Sequence, residues 1–162
     1  MSNAPLSTRW DRNDLLVLRH DETIDRVVAA DIRRVILVCE RGNTPGDLSF
    51  ALFDTGAEHV ILPAESGIAG RIHFERQAFW RERDCIWWTE AARAPLPRHL
   101  LPGVWLLRRH RPHYMRLPAA ELAPHIESWP LDGPMTWEQR KWARIAASRS
   151  LPSKPLQRVP KP

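Results

Sequence analysis

The sequence predicts an α+β domain, in which an antiparallel meander of about five to six strands is packed by a central helix and followed by a C-terminal helix. Three observations predict this class. The first 63 residues alternate short apolar runs with turn residues, the apolar spacing becomes helical over 71–84, and the signal of a capped helix follows at 136–148. Because a sheet with an apolar face needs a covering layer, the helix at 71–84 is expected to pack on the meander.

The predicted strands are short apolar runs, rich in β-branched residues and separated by glycine, proline and polar turn residues. The third run contains an uninterrupted apolar stretch at 35–38, which indicates a central strand covered on both faces. Asp54-Thr55-Gly56 separates two alternating runs and predicts a hairpin turn. The runs lie at 15–20, 24–30, 32–40, 48–53 and 58–62.

Helical spacing and capping residues predict most of the remaining elements. Apolar residues recur at helical spacing over 71–84. A short helix is expected at 119–128, where a proline precedes the first turn. In the last helix Thr136 caps the amino end, and Gln139 completes a capping box. The apolar run at 103–109 is expected to form a late strand.

A succession of strands followed by a helix resembles the plan of pleckstrin-homology-like domains. The segment 31–38, which reads D-I-R-R-V-I-L-V, is similar to one strand of that family. The resemblance covers roughly half of the chain, and here the helix follows fewer strands than the barrel of that family needs. It bears on the fold and does not fix a function.

Charge divides the chain into a nearly neutral body and a basic carboxyl-terminal part. Residues 1–134 hold 17 arginines and 18 acids, whereas residues 135–162 hold seven basic groups and one acid. The first part is predicted to be a single α+β domain. Residues 135–150 are predicted to be a basic helix that carries tryptophan, and residues 151–162 a disordered, basic, proline-rich tail.

Composition argues against several classes of protein. No apolar run approaches the ~18 residues that cross a bilayer, so no membrane span is expected. Residues 1–14 lack the apolar stretch of a secretory signal, and Cys39 and Cys85 are too few for a disulfide framework. We therefore expect buried thiols and a cytoplasmic protein. The richness in arginine, alanine and proline is typical of a high-GC bacterial genome.

Residues 108–116, which we call the basic segment, concentrate positive charge within the body. The segment reads R-R-H-R-P-H-Y-M-R and contains no acid. A planar guanidinium binds two oxygens of a phosphate or a carboxylate at once, so this composition predicts an anion-binding or partner-binding site. The alternative is an exposed loop whose arginines pair with acids of the body. The candidate binding residues are Arg108, Arg109, Arg111 and Arg116.

The terminal helix, residues 135–150, is the second candidate binding site. One side of it carries basic and aromatic residues, a combination that suits phosphate neutralisation and base stacking. An acidic groove of a protein or an anionic membrane surface would fit the same residues. The alternative is that the apolar side of the helix docks on the body while the basic side is solvated. The candidate residues are Trp137, Arg140, Lys141 and Arg144.

Signals of catalysis and metal binding are weak. His110 and His113 form an H-x-x-H pair, but Pro112 opposes the helix that would aim both rings at one metal. No metal or cofactor is therefore expected. His73 and Cys85 are a candidate base and nucleophile, although within one helix they would be separated by roughly 18 Å.

Together these patterns predict a non-enzymatic binding module that engages an acidic partner, a protein or a nucleic acid, through the basic segment and the terminal helix. A small enzyme with a site assembled around His73 and Cys85 is the alternative. Most of the eight tryptophans are expected in the core, although a partly exposed pair at 87–88 would instead offer a platform to a partner or ligand.

Overall fold

The protein is represented by a computed structural model, which describes residues 5–12, 14–40, 48–66, 86–101 and 112–134 together with residues 139, 142, 145 and 146. Within these ranges the chain forms two β-sheets and one α-helix, so the architecture is mixed α and β. The elements are β1 (Leu6–Asp11), β2 (Asp14–Arg19), β3 (Glu22–Val27), β4 (Arg34–Cys39), β5 (Leu48–Asp54), β6 (Glu58–Pro63), β7 (Ile86–Glu90), β8 (Met115–Pro118) and α1 (Ala119–Ile126).

The first sheet has the antiparallel order β1-β2-β3, and tight turns join its strands. His20 and Asp21 have positive φ angles of 52° and 63°, which a two-residue hairpin turn of the primed type requires at both central positions. In β2, Leu15 and Val17 are buried in the core that the two sheets share. The runs predicted at 15–20 and 24–30 therefore correspond to β2 and β3.

The second sheet has the order β7-β4-β5-β6-β8. Every residue of β4 from Val35 to Cys39 is buried, which confirms the predicted central strand covered on both faces. Neighbouring strands from β4 to β8 run antiparallel. β7 instead runs parallel to β4, with Val35 opposite Ile86 and Cys39 opposite Glu90.

The expectation of one antiparallel sheet of about five or six strands is met only in part. The strands divide between two sheets, and β4 and β7 are parallel. The parallel arrangement of β4 and β7 depends on the connection between β6 and β7. Parallel neighbours need a crossover of about a dozen residues or more, and residues 64–85 are long enough to supply it. The predicted central helix at 71–84 falls in this connection, outside the described residues. The predicted strand at 103–109 and tail at 151–162 also lie outside them.

Two apolar cores make the second sheet the middle layer of three. On one face, Val35 and Phe53 pack with buried residues of the first sheet. On the other face, Ile36 and Leu52 pack with Leu122 of α1 and with residues that follow β7. Alternate residues of β4 and β5 thus enter different cores, because successive side chains of a strand point to opposite faces.

The helix α1 corresponds to the short helix expected at 119–128. Leu122 and Ile126 lie four residues apart on one face and are buried against the second sheet, and Trp129 extends that face. Of the predicted terminal helix, residues 139, 142, 145 and 146 are described, and each is helical.

The hairpin between β5 and β6 confirms the turn predicted at Asp54-Thr55-Gly56. Asp54 pairs with His59 across the hairpin, and the Asp54 carboxylate accepts a hydrogen bond from the Gly56 N–H at 2.8 Å. Gly56 has a φ of +85°, and a Cβ at this position would overlap the guanidinium of Arg33. The turn therefore needs glycine for its backbone conformation, whereas the exposed and flexible side chain of Arg33 can move aside for a Cβ.

Most of the described tryptophans pack in the cores, as expected. Trp88 and Trp129 are buried, and Trp10 and Trp87 are partly buried against the same clusters. Trp142 is 63% exposed. Cys39 is fully buried, as the sequence predicts.

Candidate functional site

Among the residues that the sequence nominates for binding, Arg116 is the one whose surroundings the structure describes. It lies in β8, at the edge of the second sheet, opposite Val60 of β6. Arg116 is also the last residue of the basic segment, so it places the carboxyl end of that segment in the fold. The other nominated residues lie outside the described ranges: Arg108, Arg109, Arg111, Trp137, Arg140, Lys141 and Arg144.

Arg116 bridges the two sheets through two carboxylates. Its Nη2 donates to Oδ1 of Asp25 in β3 at 2.9 Å, and its Nη1 donates to Oε2 of Glu58 in β6 at 2.6 Å. Nη2 also donates to the carbonyl oxygen of Arg26 at 3.1 Å. The side chain of Arg116 is 30% exposed and that of Asp25 18%. The planar guanidinium suits this bridge, because its donors point in several fixed directions at once.

Tyr114 adds a hydroxyl to the same network. The hydroxyl donates to Oδ2 of Asp25, and Nε of Arg116 donates to the same oxygen at 3.1 Å. Burial raises the pKa of Tyr114 above its ordinary value, and the hydrogen bond and charge of Asp25 raise it further. We call Asp25, Glu58, Tyr114 and Arg116 the seam network, because together they close the seam between β3 and β8.

The two acids of the seam network stabilise the charged guanidinium of Arg116. Partial burial disfavours the charge, but hydrogen bonds to Glu58 and Asp25 and the charges of both acids outweigh burial and raise the pKa of Arg116. With one cation facing two carboxylates, the network has no surplus positive charge for an anion. Arg116 is therefore paired with acids of the body, which is the alternative interpretation of the basic segment.

Formal charge is divided unevenly along the chain. The basic segment holds four arginines and no acid, and residues 135–162 hold seven basic groups and one acid, whereas the rest of the chain holds 13 arginines and 18 acids. Positive charge is therefore concentrated in the basic segment and the carboxyl-terminal part, and the rest of the chain is acidic.

A second polar cluster, which the sequence analysis did not nominate, joins β4, β5 and β6. Oδ2 of Asp54 accepts a hydrogen bond from Nε of Arg34 at 2.6 Å, and Nε2 of His59 lies 3.8 Å from Oδ1. His59 is 2% exposed, and its burial lowers its pKa despite the opposing charge of Asp54. Because 3.8 Å is too long for a hydrogen bond, Asp54 does not orient His59 as the acid of a catalytic triad orients its histidine.

A pocket opens where the parallel strands β4 and β7 end, and we call it the strand-end pocket. Its volume is about 430 Å³, and Glu40 is the charged residue among the described residues that line it. Phe50, Leu96 and Leu101 supply bulky apolar walls, and Ala92 is one of the small residues between them. The sequence carries a signal for it in three alanines, at positions 91, 92 and 94, directly after a strand. A second pocket of about 300 Å³ lies beside the seam network.

The alternative enzymatic site falls outside the described residues, because both His73 and Cys85 lie there. In the described ranges, no group of three or more histidine, cysteine, aspartate or glutamate side chains is arranged to hold a metal ion. No described helix is long and apolar enough to cross a membrane.

Comparison of the chain with protein-family models, with curated proteins and with solved structures finds no match. The function is therefore inferred from the residues and their geometry.

Proposed function

We propose that the chain is a non-enzymatic binding module that engages an acidic partner, a protein or a nucleic acid, through the basic segment and the terminal helix. The observation that carries the proposal is the segregation of charge along the sequence, because the basic segment holds four arginines and no acid, residues 135–162 hold seven basic groups and one acid, and the rest of the chain holds 13 arginines and 18 acids. Segregated charge supports binding, because the acidic rest of the chain repels an acidic partner while the basic segment and the carboxyl-terminal part attract it and so orient its approach.

Arg116 serves this function as an anchor. Its guanidinium already engages Asp25 and Glu58. These two acids are therefore less able to neutralise Arg108, Arg109 and Arg111, which precede Arg116 in the same segment. The anchor holds the carboxyl end of the basic segment against both sheets.

The aromatic residues of the terminal helix separate the two classes of partner. A base stacks on an exposed indole, and this contact contributes about 1–3 kcal/mol per base to binding of single-stranded nucleic acid. An acidic peptide gains only the electrostatic contribution to the binding free energy. Trp142 is 63% exposed, so the helix presents aromatic surface to solvent.

The test is a titration of the full chain against fluorescently labelled acidic probes, followed by anisotropy at several salt concentrations. The probes are a single-stranded oligonucleotide of about 16 nucleotides, the corresponding duplex and a polyglutamate peptide. One triple variant neutralises the basic segment and another neutralises the terminal helix. A matched triple variant neutralises three exposed arginines of the described part. The three variants are R108Q/R109Q/R111Q, R140Q/K141Q/R144Q and R9Q/R93Q/R98Q.

We expect each of the first two variants to weaken binding and the matched control to leave it within about twofold, which is the scale of an isolated exposed charge. If the probe is single-stranded DNA, losing three phosphate contacts reduces the slope of log K against log salt by about 2. Trp137→Ala then weakens binding of the oligonucleotide and not of polyglutamate. Equal losses in all three triple variants would show that binding follows net charge alone, and the proposal would fail.

A further inference from the structure

We propose that Glu58 is an intramolecular competitor of a nucleic-acid phosphate, which replaces Glu58 on the guanidinium of Arg116 when the chain binds its partner. The inference rests on the proposed function, because Arg116 belongs to the basic segment, and it narrows the acidic partner to a nucleic acid. The observation behind it is that the two acids of the seam network hold Arg116 unequally.

Asp25 holds Arg116 through several contacts. Its Oδ1 and Oδ2 each accept a hydrogen bond from Nη2 of Arg116 at 2.9 Å, and Oδ2 also accepts one from Nε at 3.1 Å. The side chain of Asp25 is 18% exposed, and the hydroxyl of Tyr114 donates to the same carboxylate. A guanidinium that donates two hydrogen bonds to one carboxylate forms the strongest arrangement of this pair. Asp25 therefore keeps Arg116 in place.

Glu58 holds Arg116 through a single, more exposed contact. Nη1 of Arg116 donates to Oε2 of Glu58 at 2.6 Å, and the side chain of Glu58 is 44% exposed. The backbone of Glu58 is fixed separately, because its N–H donates to Oγ1 of Thr55 at 3.2 Å and its carbonyl oxygen accepts from the Thr55 N–H at 3.0 Å. The carboxylate can therefore rotate away from Nη1 without disturbing the hairpin. Exposed ion pairs contribute little to stability, so this is the contact that an anion can replace.

The pocket of about 300 Å³ beside the seam network, which we call the seam pocket, is the place where the exchange occurs. Glu58 and Arg116 both belong to its described lining, so an anion in the pocket lies next to the contact that it replaces. Arg26 and Asp31 are the other charged residues of the described lining. Arg26 is paired with Asp14, and Asp31 opposes an anion. We therefore expect one phosphate contact, made by Arg116.

A nucleic acid bound by the basic segment reaches this pocket. Arg111 precedes Arg116 by five residues, which span at most about 18 Å when extended. A duplex of 16 base pairs is about 54 Å long, so a duplex that contacts Arg111 extends well beyond this distance. A carboxylate of an acidic protein would replace Glu58 by the same chemical group and gain nothing. A phosphate contact, in contrast, releases a counterion condensed on the nucleic acid, and this release favours the exchange.

The test is an anisotropy titration of the full chain with a labelled duplex of 16 base pairs at several salt concentrations, with polyglutamate as the second probe. Glu58→Gln removes the competing charge at nearly constant shape. Glu22→Gln is the matched control, because it removes an exposed acid from β3, the strand that carries Asp25. Arg116→Met, alone and combined with Glu58→Gln, completes a double-mutant cycle. Circular dichroism checks that each variant is folded, and the two glutamate variants decide the question if Arg116→Met is not.

We expect Glu58→Gln to tighten binding of the duplex about three- to fivefold at low salt, which is the scale of one exposed ion pair. The slope of log K against log salt should become steeper by about 0.9, because one more phosphate contact forms. Glu22→Gln should change binding by less than about 1.5-fold, since its charge is screened by solvent. In the Arg116→Met background the gain from Glu58→Gln should disappear.

Three results would overturn the inference while the proposed function stands. They are an equal gain in Glu58→Gln and Glu22→Gln, a gain that persists in the Arg116→Met background, and an equal gain for polyglutamate and the duplex. The first two would show that Glu58 acts only through net charge, and the third that a carboxylate replaces it as readily as a phosphate. If neither the unsubstituted chain nor Glu58→Gln binds either probe, the proposed function fails and this inference fails with it.

Discussion

Replacing Arg116 by methionine tests whether the seam network holds the two sheets together. Methionine retains an unbranched apolar stem but removes the guanidinium and all of its hydrogen bonds. Asp25, whose side chain is 18% exposed, then keeps the Tyr114 hydroxyl and loses its cation. Glu58, whose side chain is 44% exposed, returns to solvent.

The expected cost follows from these exposures. Hydrogen bonds to charged groups contribute about 1.5–3 kcal/mol when buried. The contact with Glu58 contributes less than about 1 kcal/mol, because it is largely solvated. Partial exposure also reduces the contribution of Asp25. We therefore expect Arg116→Met to lower the free energy of unfolding by about 2 kcal/mol, which corresponds to about 4–8 °C in Tm for a chain of this length.

The assay is urea denaturation at pH 7, followed by far-ultraviolet circular dichroism. Arg26→Met is the matched control, because Arg26 pairs with Asp14 through a side chain that is 54% exposed. We expect the control to cost less than about 1 kcal/mol. The loss of stability in Arg116→Lys should fall between those of Arg26→Met and Arg116→Met, because a lysine keeps the charge but lacks the planar fork that reaches both acids.

Two results would refute this reasoning. One is an equal loss of stability in Arg116→Met and Arg26→Met. The other is strict additivity in the double variant Arg116→Met/Asp25→Asn, because residues that contact each other through charged hydrogen bonds should show a coupling energy.

Three further predictions concern titration and turns. The chain should lose stability as the pH falls below about 6.5, because burial lowers the pKa of His59 and the unfolded chain therefore binds the proton first, and His59→Gln should reduce this loss. Urea unfolding of the unsubstituted chain and of His59→Gln between pH 5 and 8 checks this, and equal pH dependence of the two contradicts it. Tyr114 is the one tyrosine of the chain, so ultraviolet absorbance should show it ionising above about pH 10 in the native protein and near pH 10 in urea. Stability should accordingly fall as the pH rises above about 10, since the unfolded chain releases this proton first, and coincident titrations would rule this out. Asp21→Gly should raise stability by about 0.5–1 kcal/mol, because residue 21 has a φ of 63°, which glycine adopts without steric cost; a lower urea midpoint would contradict this.

Hydrophobic patterning in the sequence was sufficient to predict the strands that are buried. β4 was predicted as a central strand from its apolar stretch, and the alternating runs around Asp54-Thr55-Gly56 became β5 and β6. β1 was not predicted, because its alternate residues are exposed and polar and its sequence is not distinctively apolar. Its pairing with β2 comes from the turn and the register between the strands.

The candidate site was predictable in composition and not in geometry. The basic segment stands out because it has four arginines and no acid. Its Arg116, however, faces Asp25, a residue 91 positions away in the chain. No local pattern indicates which of the 19 acids meets a given arginine, because ion pairing is decided by the three-dimensional positions of the strands.

The sequence by itself determined the mixed α and β class, the buried strand at the centre, the glycine turn and the positions where positive charge collects. These properties follow from spacing, side-chain volume and charge, which are local along the chain. Only the tertiary structure decided that β7 joins β4 in parallel, that their shared edge opens into the strand-end pocket, and that Arg116 closes the seam between the sheets. These features depend on contacts between residues far apart in sequence, and the chain makes such contacts only when its layers pack.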